Sequence, residues 1–407
     1  MSSHFSAAFL AAFGLFFTHG VRADAVLHWN DVALAEVAAD DQLPPDGART
    51  MAMVHVAVFD AVNAIDQRFE PYALHEHAAV DASADAAAAG AAYTVLVGLF
   101  PSREAALDEA FAAALAHVPD GPAKRAGIEL GQRAANACLE RRAHDGSRAR
   151  NAYAPQASPG VYVPTSLPVS SNWAMVEPWS MQAPAQFRPP APPTLWSNVW
   201  TRDFAEVKRL GSKDSAERGA ADTETAIFWT ITGPAAWNSV VRSLATSRPA
   251  TLVEQARLFA LVNVAAMDSF VAVFDAKYAY EFWRPITAVR RAEIDGNDAT
   301  DADPTWLPLV ETPLHPEYPC AHCISSAAVG EVLEAEFGSG EVPVIAMTSA
   351  ALPGVVHRWT RIDDYVEEVS NARIFAGVHY RNSAAVGEAM GRSIAQQVVA
   401  TLMRPRE

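Results

Sequence analysis

The stretch TLVEQARLFALVNVAAMDSFVAVFDAKYAYEFWRP, residues 251–285, decides the fold. It is apolar for most of its length, and Phe270, Phe274 and Tyr278 recur every four residues. That spacing predicts a long helix over about 251–283 whose aromatic stripe packs into the core. Lys277 and Arg284 lie seven residues apart, two helical turns, and so on nearly the same face. Pro285 disfavours helical geometry at Arg284, so the helix is expected to end there and to project two cations past its end into one cavity. Taken alone, such a pair reads as surface cations lying along their apolar stems.

Helical periodicity continues on both sides of this stretch. Met53, Val54, Ala57, Val58, Ala61, Val62 and Ile65 mark a helix over residues 50–65, and alanine-rich helices are predicted over 81–99, 102–117 and 122–144. Between residues 153 and 193 fall ten of the 27 prolines, a density no helix survives. Tyr162, Trp173, Trp179 and Phe187 make that segment too apolar for a plain linker, so it is read as an ordered, wrapping connection. Helices resume near Thr194, Asp222 and Asn238, and the last third is expected to hold helices over 320–337, 342–352, 361–376 and 379–402. The predicted class is all-α, with an N-terminal helical half over 24–152, the proline-rich connection over 153–193 and a C-terminal half over 194–407.

The chain has 407 residues, half of them hydrophobic, and a formal net charge of −16. This composition supports a large packed core and argues against disorder. With no basic stripe to offset the acidic background, no nucleic-acid partner is expected. Residues 1–23 read as a secretory signal, with an apolar core from Phe9 to Phe17 and Val21-Arg22-Ala23 before a cut, although the start lacks Lys or Arg; a buried or anchoring N-terminal helix is the alternative. No later run of about 18 consecutive apolar residues suggests a membrane span. The acidic loop 293–303 holds five acids at spacings that do not match a calcium loop, and is read as a solvated turn.

Two more clusters join Lys277 and Arg284. Pro319-Cys320-Ala321-His322 looks like the start of a helix, where unpaired backbone N–H groups and the positive helix end favour an anion. Arg373 and His379, six residues apart, cannot share a helix face, but Gly377 between them lets one helix end and both side chains point inward. Three cations and two histidines form a set that a bound oxyanion would use fully.

The order Lys-x6-Arg-Pro, Pro-Cys-Ala-His, Arg-x5-His resembles the signature of the vanadium-dependent haloperoxidase and type 2 phosphatidic acid phosphatase superfamily. The similarity extends to residues 26–65, the proline-rich middle and residues 295–322. The resemblance implies a pair of packed helical bundles with the oxyanion site in the C-terminal one. His379 would bond vanadium in a haloperoxidase, as its metal ligand, or attack phosphorus in a phosphatase. His322 would be the acid–base residue. Lys277, Arg284 and Arg373 would hold the oxygens, with Cys320 and the Ala321 N–H beside them. Vanadate would be the cofactor of a haloperoxidase using halide and peroxide; a phosphatase acting on a phosphate ester would need none.

The chain departs from the family pattern in two places. Family members usually carry Pro-Ser-Gly-His, and a thiol is a weaker hydrogen-bond donor than a hydroxyl. A free Cys320 at a helix start among cations would have a lowered pKa, and its thiolate would compete with an anion. Cys320 and Cys323 thus admit two readings: small residues in serine-like positions, or a disulfide formed in an oxidising compartment. The family also has an aspartate four residues past the last histidine, where this chain has Ser383, which orients imidazole without charge. Three functions stay open: an exported haloperoxidase, a soluble phosphatase using a phosphohistidine, and a non-catalytic oxyanion-binding or thiol–disulfide protein. Trp283, Tyr318 and His357 are candidate pocket neighbours.

Overall fold

The computed structural model describes residues 25–78 and 81–406. The expected signal segment 1–23 lies outside them. Five helices make the N-terminal bundle: α1 (Ala25–Ala39), α2 (Pro44–Asp66), α3 (Ala84–Leu99), α4 (Glu104–Leu115) and α5 (Pro122–Arg141). After the proline-rich segment come α6 (Asn198–Leu210), α7 (Ala220–Phe228), α8 (Pro234–Ala245), α9 (Leu252–Tyr280) and α10 (Pro285–Arg290). The C-terminal bundle is completed by α11 (Ala321–Phe337), α12 (Ile362–Phe375) and α13 (Arg381–Thr401).

Helix α9 is the axis of the molecule. A reciprocal cap starts it: the Thr251 hydroxyl accepts from the Glu254 N–H while the Glu254 carboxylate accepts from the Thr251 N–H at 2.8 Å. It packs against α2 on one side and α11 and α13 on the other, and one continuous core runs from Val26 to Met403. Although α9 is long and apolar enough to cross a membrane, its whole apolar window is buried inside the protein. A small residue lets α11 and α13 approach closely: a Cβ on Gly391 would lie 2.2 Å from the Ile324 carbonyl oxygen.

The proline-rich segment is tied down by backbone and side chains. Buried Asp268 on α9 accepts from the N–H groups of Trp179 (2.7 Å) and Ser180 (2.8 Å). Tyr162 and Trp173 are fully buried. The acids of the loop 293–303 are engaged locally, Asp295 accepting from Trp200 Nε1 and Thr300 Oγ1 and Asp303 from Thr305.

One expected helix is wrong. Residues 342–352 do not form it; β1 (Ile345–Ser349) pairs antiparallel with β2 (Leu352–Trp359). Ile345, Met347 and Ser349 point inward while Ala346 and Thr348 face out, the two-residue alternation of a half-buried strand. Alanine and methionine, both good helix formers, mask that alternation in the sequence. The all-α class stands with this one hairpin added.

Candidate active site

Lys277 and Arg284 meet through a chain reversal, not through a shared helix face. Helix α9 stops at Tyr280, Glu281 takes a left-handed conformation (φ 48°), and Arg284 sits in extended backbone as the cap of α10. Both cations then fasten onto one loop. Lys277 Nζ donates to the carbonyls of Pro316 (2.9 Å) and Glu317 (2.8 Å), and Arg284 Nε donates to that of His315 (2.9 Å). This loop leads straight into α11, so the first motif positions the second.

Arg373 comes from the last turn of α12 and His379 from the turn beyond it. Gly377 makes that turn: its φ is +77°, and a Cβ there would sit 2.3 Å from the Gly211 carbonyl oxygen. The chain re-enters helix at Arg381, two residues later than the sequence suggested. Arg284 Nη1 lies 3.1 Å from His379 Nε2 and 2.8 Å from the Val378 carbonyl. Arg373 Nη1 donates to the Trp229 carbonyl at 2.9 Å, and its Nε has no partner.

Two residues in this site carry no motif. Glu317, fully buried, accepts from His379 Nδ1 at 2.7 Å and from the Tyr380 N–H at 3.1 Å. An arginine can only donate, so the Arg284 contact makes Nε2 of His379 the acceptor and places the proton on Nδ1, facing Glu317. Glu317 thereby supplies the charge that Ser383 does not; Ser383 is buried beside the same carboxylate. His315 accepts from Arg284 Nη2 at 3.0 Å. Neither was legible, because both depend on the return of the chain after α10, 31 residues from Arg284 to His315 and 40 from Lys277 to Glu317.

Cys320 and Cys323 are joined in a disulfide, and Cys138 is the free cysteine. The expected role of Cys320 at the cofactor is therefore corrected. Its sulfur is bonded to Cys323, accepts the Cys323 N–H at 3.2 Å, and packs with Ile374 and Ala384 away from the cavity. The competing thiolate does not arise. Ala321 and His322 do line the cavity, and His322 Nε2 there has no partner. Trp283 and Tyr318 instead belong to an aromatic cluster around Trp200, and His357 pairs with Glu368 on the hairpin side.

The electrostatics are those of too much buried positive charge. Burial, with Arg284 nearby, pushes Arg373 down to about 9, and burial lowers Arg284 to about 10 despite Glu317. Burial and the neighbouring arginines hold Lys277 well below the usual lysine range. His379, His322 and His315 are held well below ordinary histidine values by burial and then by the cations, so all three are neutral. Burial pushes Glu317 up to about 7 against the opposing pull of Lys277 and Arg284. Three buried basic side chains and the buried carboxylate of Glu317 thus lie beside a cavity of about 480 Å³ that His322, Arg373, His379 and the exposed Glu311 border.

Fold and site define a helical-bundle protein with an oxyanion cradle in its C-terminal bundle. Residues 257–407, which carry every motif, match the family model of the VCPO second helical-bundle domain. The vanadium chloroperoxidase of Curvularia inaequalis is 26% identical over 265 residues, 48% of this chain and 42% of that protein. The chain thus aligns with less than half the length of this relative. Among solved structures, a bacterial vanadium-dependent iodoperoxidase superposes with a TM-score of 0.79 at 21% identity, covering 94% of this chain and 97% of that one. The holo form of a bacterial vanadium-dependent chloroperoxidase gives 0.68 at 16% identity, covering 93% of each chain. Residues 257–407 thus match the second helical-bundle domain of that family model, and the chain shares the fold of bacterial vanadium-dependent haloperoxidases.

Proposed function

We propose that this chain is an exported, vanadate-dependent haloperoxidase-like enzyme that oxidises halide with hydrogen peroxide. The observation that carries this reading is the donor excess: Lys277, Arg284 and Arg373 are all buried, the buried carboxylate Glu317 acts on the first two, and among the described residues Arg373 Nε and His322 Nε2 have no partner. An anion rich in acceptor oxygens supplies the missing negative charge and the missing acceptors together. The donor set therefore fits vanadate. His379 Nε2 would bond the vanadium, while Lys277, Arg284, Arg373 and the Ala321 N–H would hold its oxygens. Bound vanadate supplies a Lewis acid at which peroxide becomes an oxidant of halide.

The chain's own part is preorganisation. Glu317 holds the proton on Nδ1 of His379 and keeps the Nε2 lone pair available, presently shared with Arg284. The cations are fixed by carbonyls of Pro316, Glu317, His315, Val378 and Trp229, so little reorganisation accompanies anion entry. Neutral His322, with Nε2 free, is placed to take or give a proton at the bound group. The Cys320–Cys323 bridge supports export, because disulfides persist in oxidising compartments, and a bridged pair also survives beside an oxidant better than free thiols do.

A second reading has one specific support. Glu317 orients and charges His379 as a phosphohistidine mechanism requires, so a phosphatase acting on a phosphate ester remains the alternative. One preparation assayed with and without vanadate separates them. The first reading expects vanadate to create peroxide-dependent bromide or iodide oxidation; the second expects ester hydrolysis that vanadate inhibits. Neither activity, with vanadate still bound, would leave an oxyanion-binding protein.

A further inference from the structure

One carboxylate behind the cavity collects three N–H donors. Glu368, on α12, accepts from the indole N–H groups of Trp229 (2.9 Å) and Trp359 (2.9 Å) and from the Nδ1–H of His357 (2.6 Å). Trp359 and His357 belong to β2, and Trp229 caps the C-terminal end of α7. Both indoles are buried, so each N–H would carry a desolvation cost without this acceptor. Glu368 itself does not border the cavity, and the charge that acts on Arg373 is that of Arg284. Any influence of Glu368 on the site therefore passes through what it holds.

Trp229 is the residue it holds nearest the site. The carbonyl of Trp229 stands at the end of α7, where no later turn supplies a helical donor, and it accepts Arg373 Nη1 at 2.9 Å. A helix C-terminus favours a cation at that position. Arg373 keeps its Nε without a partner, so this carbonyl is what fixes its guanidinium. The hairpin grips the same place twice more: Ser349 Oγ on β1 donates to the Phe228 carbonyl at 2.8 Å, and His357 stacks on the Phe228 ring with centroids 3.8 Å apart. The stretch from Trp229 to Thr232 then continues along the cavity wall beside Arg373 and His322.

We propose that Glu368 is a positioning residue of the oxyanion site and acts on Arg373 through Trp229. The carboxylate fixes the indole, the fixed residue presents its carbonyl, and the carbonyl aims the guanidinium. The β1–β2 hairpin, through Trp359, His357 and Ser349, is the brace behind that line. The inference rests on the proposed vanadate site, because the aim of Arg373 matters where its guanidinium meets a bound oxyanion. Without the brace, Arg373 must be re-aimed as the anion enters, and affinity falls although every group touching the anion is unchanged.

The test is a double-mutant cycle on the full chain between Glu368→Met and Arg373→Met, read by equilibrium dialysis of vanadate. Glu368→Met should weaken vanadate about tenfold, the low end of the loss on removing a supporting partner. With Arg373→Met already present the further loss should be less than about twofold, because the path ends at Arg373. Trp229→Phe, which keeps the carbonyl and drops the indole N–H, should show the same pattern, and it decides the matter if urea unfolding shows that Glu368→Met does not fold. Unchanged affinity in a folded variant would overturn the proposal. So would an equal loss in both backgrounds, which would make Glu368 a support of the fold in general. The guanidinium nitrogen NMR signals of Arg373, assigned by their absence from Arg373→Met, need no ligand. They should shift in whichever variant folds, and unshifted signals would overturn the proposal. If the wild type binds no vanadate, the parent reading fails, and these signals still decide whether Glu368 aims Arg373.

Discussion

Glu317 accepts the Nδ1–H of His379 at 2.7 Å, and both side chains are buried. The pair joins a residue of the last motif to one in the loop that Lys277 and Arg284 fasten, so anion site and imidazole orientation form one unit. Glu317→Gln keeps the shape and an acceptor but removes the charge. The variant is expected to lose about 10- to 100-fold in vanadate affinity or turnover, the usual cost of a supporting carboxylate. Burial pushes Glu317 up to about 7, so its carboxylate form, and the hold on His379, is lost as pH falls through that value. An acid limb near pH 7, belonging to the coupled pair, should vanish from the pH profile of the variant. An unchanged profile would contradict the role.

Arg373 separates function from stability. It has one hydrogen bond, to Trp229, an unpartnered Nε and no acidic partner. Replacing an uncompensated buried cation by a similar apolar side chain is often neutral or stabilising. Arg373→Met is expected to raise the stability of the anion-free protein by about 1 kcal/mol. Vanadate affinity should fall by about 1.5–3 kcal/mol, the worth of a charge-assisted contact. Urea unfolding and equilibrium dialysis check the two arms. A large loss of stability with unchanged affinity would make Arg373 a structural residue.

His55 predicts how stability depends on pH. It is buried, stacks on Phe259 with centroids 5.1 Å apart, and pairs with Asn30 at 2.9 Å. Burial, then Arg242, lowers it from 6.5 to about 3. Above pH 6.5 it is neutral folded and unfolded alike; below that the unfolded chain takes up a proton the fold refuses, so stability falls with acidification. One such group contributes a slope of about 1.4 kcal/mol per pH unit between those values. His55→Gln should lower the slope measured by urea unfolding at pH 6, 5 and 4 by that amount. An identical slope in the variant would rule out this assignment.

The Cys320–Cys323 bridge predicts one free thiol, Cys138, in the unfolded, unreduced protein, and three after reduction. Three before reduction would refute it. Because the closed loop is so short, removing the bridge with a Cys320→Ser, Cys323→Ser double variant should cost only about 2 kcal/mol.

Much of this was legible because it is local. The four-residue recurrence of Phe270, Phe274 and Tyr278 marks the buried face of α9, and Gly377 marks the turn that brings Arg373 and His379 together. What was not legible depends on distance or competition. Glu317 and His315 matter only because the chain returns past Lys277 and Arg284, and no spacing records that. The hairpin at Ile345–Trp359 was hidden by residues that also favour helix. Ser383 stands where the family carries charge, and the compensating Glu317 comes from 66 positions earlier in the chain.

The most direct measurement is equilibrium binding of vanadate to the purified protein, wild type beside His379→Ala, with vanadium quantified and phosphate as competitor. One phosphate-displaceable vanadium per chain, lost or weakened at least tenfold in the variant, is the predicted result. No retained vanadium, or equal affinity in both proteins, would contradict the oxyanion site on which the whole reading stands.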